Sequence, residues 1–158
     1  MLIQPRLQTG KEELSMVKET SLPRMVYIAT GLVIAVAILY TFVFIPRLTT
    51  HPQAISEGVD RTSKFFFVIQ LVAAAVLLAF VILSRRGGRK FRGLLFLAGI
   101  LLIFQGLAEF NGAQYYLQTY RGFYAVAILM LVCVGANLIA GILAIIAGNK
   151  LRHRPSAK

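Results

Sequence analysis

The sequence predicts an all-α polytopic membrane protein: four transmembrane helices in an antiparallel bundle, with both termini cytoplasmic. Three observations carry that expectation. First, of 158 residues 58% are hydrophobic and only 15% are charged, against about 25% charged in an ordinary globular domain. Mean hydropathy is +0.73. Second, the apolar residues fall into four runs long enough to cross a hydrocarbon layer about 30 Å thick. A soluble helical core needs polar outer faces on its helices, and the polar residues are too few to supply them. Third, Arg85–Arg92 reads RRGGRKFR. Five positive charges and two glycines between two apolar runs describe a short turn that stays on the cytoplasmic side.

The charges fix an orientation. Arg6, Lys11, Lys18 and Arg24 precede or open the first run. Arg85, Arg86, Arg89, Lys90 and Arg92 form the middle turn, and Lys150, Arg152, Arg154 and Lys158 form the tail. Those thirteen fall on one side. Arg47, Arg61, Lys64 and Arg121 fall on the other. The bias puts both ends and the middle turn inside. The net charge of +11 therefore reads as topology and attraction to anionic lipid headgroups on the cytoplasmic side, the middle-turn cations being the headgroup or anionic-partner candidates. No module that reads nucleic acid is visible.

Residues 1–22 form a cytoplasmic lead-in. Pro5 and Gly10 favour an irregular start, and Thr9 with Glu12 has the spacing of a capping box for a short helix to about Thr20. No cleavable signal peptide is expected, because the first apolar run begins only near residue 25. The transmembrane part is expected over 23–148, with spans at about 24–45, 64–84, 91–110 and 122–148, and a basic tail over 149–158. Pro23 suits the first turn of span one, and Pro46 ends it. Ser63 is a suitable N-cap for span two, whose Phe65, Phe66 and Phe67 read as lipid-facing anchors at the interface. Span three is short in its strictly apolar part and must run on through Gln105 and Glu109. Tyr115, Tyr116, Tyr120 and Tyr124 fit an aromatic belt.

Small residues mark faces where helices approach closely. They are Gly31 with Ala35 in span one, Gly99 with Gly106 in span three, and Ala136, Ala140 and Ala144 in span four.

The polar residues inside the spans are the site candidates: Gln70, Gln105, Glu109 and Asn137. Glu109 is the only acid in or near a span, and an intramembrane carboxylate is a functional hypothesis by default. The span count puts it near the outer boundary, where an interfacial or subunit-facing pair with Arg121 is expected. Gln105 lies one turn away on the same helix and Gln70 at similar depth, so the three are expected to share a polar cluster. Asn137, at mid-depth, is expected to join helices by hydrogen bonds.

Catalytic and metal chemistry find little support. His51 and His153 both lie outside the spans, so neither a metal site nor paired haem ligands are expected. Cys133 is the single cysteine and lies in an apolar run, which excludes an intrachain disulfide. No cofactor is expected. The leading expectation is a non-catalytic subunit, in the plasma or inner membrane, that stabilises, assembles or regulates a larger complex with other membrane subunits or by self-association. The alternatives are a small oligomeric channel or transporter, and a membrane enzyme acting on a lipid-soluble substrate.

Overall fold

A computed structural model describes residues 6–50, 59–84, 90–119 and 124–152. The described elements are all helical: α1 (Arg6–Leu39), a π-helical turn (Tyr40–Phe44), α2 (Ile45–Thr50), α3 (Val59–Ser84), α4 (Arg92–Thr119) and α5 (Tyr124–Arg152). Four stretches are long and apolar enough to cross a membrane: Pro23–Arg47, Lys64–Ser84, Arg92–Tyr115 and Tyr124–Arg152. The expected count of four stands.

The punctuation differs from what the sequence predicts. Helix α1 runs from Arg6 straight through Gly10 and Pro23, so neither the separate amino-terminal helix nor the helix start at Pro23 is found. A proline inside a helix gives up one backbone bond and crowds the carbonyl four residues back. At the end of a span, that is a small loss against a long apolar face. Pro46 does not end its helix either. The chain widens into the turn Tyr40–Phe44, with the Ile45 amide bonded to the Tyr40 carbonyl five residues back. The wider turn relieves the ring of Pro46, and the helix continues to Thr50. Helix α3 begins at Val59, four residues before Ser63, so Ser63 is not its cap. Helix α4 carries the third span beyond residue 110 to Tyr115 and itself ends at Thr119. Most of the segment read as an outer connection is therefore helical.

Helices α4 and α5 meet along a glycine seam. A Cβ on Gly99 would stand 2.9 Å from the Gly141 carbonyl oxygen, and one on Gly141 would stand 2.9 Å from that of Gly99. Farther along, Gly106 faces Leu138, and Gly148 lies under the Phe96 ring. At Gly99 and Gly141 only hydrogen fits, which lets the two backbones approach closely, whereas at Gly106 and Gly148 an added methyl would press on a side chain. The alanine column also turns inward: Ala140 and Ala144 are buried, and Ala136 packs half-buried against the core. Gly31 and Ala35 behave differently. Both lie on the outer face of α1, and nothing comes within 4 Å of a Cβ built on Gly31.

Two apolar layers form the interior. One joins all four long helices through residues such as Val33, Leu77, Leu102 and Ala144. The other includes Val36, Phe44, Ala113, Met130 and Cys133. Phe66 and Phe67 pack against this second layer, while Phe65 is exposed. Only one of the three phenylalanines therefore has the lipid-facing position expected of all.

Candidate functional site

Along the helices, the predicted polar residues fall where the two apolar layers meet. Gln70, Gln105 and Asn137 are 0% exposed and Glu109 is 1% exposed. Tyr40 lies six or seven residues inside Arg47, Gln70 inside Lys64, and Glu109 inside Tyr115. That is about 10 Å along a helix axis from the span end. Groups at that depth, in contact with neither water nor lipid, must satisfy one another.

They do so in a circuit through four helices. Glu109 on α4 is the hub. Its Oε1 accepts from the Tyr40 hydroxyl at 2.5 Å and from Gln105 Nε2 at 2.6 Å. Its Oε2 accepts from Asn137 Nδ2 on α5 at 3.2 Å. Asn137 Oδ1 in turn accepts from Gln70 Nε2 on α3 at 3.2 Å. The same Gln70 nitrogen donates to the Val33 carbonyl at 3.0 Å, returning the path to α1. A cross-link runs from Gln105 Nε2 to the Phe66 carbonyl on α3 at 3.2 Å. Gln105 and Glu109 meet because residues four apart share a helix face.

The carboxylate sets the polarity of the network. It takes three donors and gives none. Asn137 therefore turns its nitrogen to Glu109 and its oxygen to Gln70. Both glutamine nitrogens spend their two hydrogens on oxygen acceptors. Both glutamine nitrogens are thus fully used, while Gln70 Oε1 and Gln105 Oε1 are buried with no hydrogen-bond partner. Acceptors are in surplus.

Glu109 consequently does not face outward toward another subunit: its side chain is enclosed by the chain's own helices. Arg121, its expected partner, lies outside the described residues. The expected cluster of Gln70, Gln105 and Glu109 is brought together, and Asn137 joins it. Tyr40 was not among the sequence candidates. Its only signal is a hydroxyl inside an apolar run. The π-helical turn starts at this residue, and such turns recur at functional sites. Its ring packs on Phe44, with centroids 5.0 Å apart, and stacks on Phe67 at 6.5 Å.

The remaining candidates stay apart. Lys90 and Arg92 are exposed at the start of α4. Arg85, Arg86, Arg89, His51 and His153 lie outside the described residues. Cys133 is buried in the second apolar layer. Among the described residues, no three His, Cys, Asp or Glu side chains gather where they could hold a metal ion.

Architecture and site together define a class: an all-helical protein with four membrane-length helices and a sealed polar layer. Comparison with protein-family models, with curated proteins and with solved structures finds no match.

Proposed function

We propose that the chain is a non-catalytic integral membrane subunit that stabilises, assembles or regulates a larger membrane complex. On this reading its four spans form an antiparallel bundle, and both ends and the basic turn face the cytoplasm. Its partners are other membrane subunits and anionic lipids, and its location is the plasma or inner membrane. The observation that supports it is the inward consumption of polar groups. Gln70, Gln105, Glu109 and Asn137 all bond within the chain. The exposed residues between Tyr27 and Phe42, Phe65 and Ile82, Leu97 and Phe110, and Tyr124 and Ile146 are apolar except Thr41. The Thr41 hydroxyl bonds back to the Ala37 carbonyl at 2.9 Å. Such a surface suits lipid and apolar helices, not a water-filled route.

The oligomeric-channel alternative is less well supported for the same reason. A pore between copies needs its polar lining on an outer face, whereas all four candidates face inward.

Purification of the tagged protein from its own membranes in a gentle detergent tests the proposal. Other chains are expected to co-purify at fixed stoichiometry. Gly31→Leu, placed on the outer face of α1, is expected to lower their yield without unfolding the protein. A stable homo-oligomer free of any other chain would overturn the subunit reading.

A further inference from the structure

Helix α4 turns one face away from the bundle. Leu102, Glu109 and Ala113 are buried on its inner face, whereas Ile100, Phe104, Leu107, Asn111, Gln114 and Gln118 are exposed. These six follow one another at alternating steps of four and three residues. That spacing sets them in one line along the helix, as in the seam of a coiled coil. The line is apolar as far as Leu107 and then carries only carboxamides. Asn111 lies four residues inside the Tyr115 end of the span, about 6 Å along the axis. Among the described residues, none of the three carboxamides has a hydrogen-bond partner. The other spans present different chemistry at this end of the bundle. Their exposed residues there include Phe42 and Arg47, Lys64 and Phe65, and Tyr124, aromatic and cationic types that suit lipid headgroups.

We infer that α4 pairs with α4 of a second copy of this chain along this line, with Asn111, Gln114 and Gln118 hydrogen-bonded between the copies. A carboxamide gives two hydrogens and accepts through its oxygen, so it is complementary to itself. Copies of one membrane protein share an orientation, and a two-fold axis along the membrane normal sets each residue near it against its own twin. Charged residues placed so would repel, and the line has none. Inside the membrane boundary, such carboxamides join helices by hydrogen bonds. The inference rests on the membrane placement proposed above, and it holds whether or not other subunits join the pair.

Disulfide cross-linking of the full-length protein in its native membranes tests it. The unaltered chain is the blank, since its one cysteine, Cys133, is buried. Gln114→Cys and Gln118→Cys are each expected to yield a species of twice the chain mass on oxidation, because twins beside a two-fold axis come within disulfide range. Phe42→Cys, 74% exposed on the first span, is expected to yield none. Adding Asn111→Leu is expected to slow the Gln118→Cys link about fivefold, the worth of one hydrogen bond between membrane helices. A link to a different chain would overturn the pair and give this face to another subunit, with the subunit reading intact. No link from either position, an equal yield from Phe42→Cys, or an undiminished rate with Asn111→Leu would overturn it as well.

Discussion

The Tyr40 hydroxyl donates to Glu109 Oε1 at 2.5 Å across a sequence separation of 69 residues. It is the shortest side-chain bond of the polar layer, and it ties the π-helical turn that follows α1 to α4. Tyr40→Phe removes the donor and keeps the ring that packs on Phe44 and Phe67. The loss is expected to cost about 1–2 kcal/mol, the upper range for hydrogen bonds between membrane helices. Equilibrium unfolding in mixed micelles measures it. In a double-mutant cycle with Glu109→Gln, the two changes are expected to be strongly non-additive.

The π-helical turn aims Tyr40, and Pro46 is the physical reason for the turn. Pro46→Ala restores a backbone donor and permits a regular helix. The turn is then expected to tighten and Tyr40 to lose its alignment with Glu109. Tyr40→Phe should consequently cost less than half as much in the Pro46→Ala background. An unchanged cost would detach the proline from the placement of Tyr40.

The glycine seam gives a contrast within one chain. Gly141→Ala sets a Cβ 2.8 Å from Ile103 Cγ1 and 2.9 Å from the Gly99 carbonyl oxygen. Backbone must move, so a loss of about 1–3 kcal/mol is expected. Gly31→Ala meets open space and should change stability by no more than about 0.5 kcal/mol, as an exposed position does. Circular dichroism of both variants in the same detergent makes the comparison.

Cys133 is the only cysteine and is buried. A maleimide is therefore expected to label the folded protein at least a hundredfold more slowly than the unfolded one. With no second thiol to confuse it, the labelling rate reports opening of the second apolar layer. Tyr40→Phe should accelerate it, because Tyr40 belongs to the same layer.

Long apolar runs made the four helices legible, since about 20 consecutive apolar residues match a membrane-length helix and are twice what a spanning strand needs. The polar layer was legible in part for the same reason: Gln70, Gln105, Glu109 and Asn137 interrupt otherwise apolar stretches. Depth was not. Asn111 and Gln114 read as the start of a loop, and that moved Glu109 toward the boundary. The helix in fact carries these side chains exposed on its outer face. Tyr40 carries no sequence pattern that marks it, since a single hydroxyl in an apolar run has no partner at fixed spacing. Gly10, Pro23, Pro46 and Ser63 are local signals for breaks and caps. Such signals are weak beside the packing of a long apolar face, and the helices run through all four.

The circuit around Glu109 has an order in time. During synthesis α4 leaves the ribosome before α5, and Asn137 lies 28 residues behind Glu109. Until the last helix arrives, the carboxylate lacks one of its three donors, and Gln70 lacks the acceptor it shares with α5. A chain truncated before Asn137 therefore leaves Glu109 Oε2 without its donor and Gln70 Nε2 with one acceptor instead of two, so the polar layer closes only with the last helix.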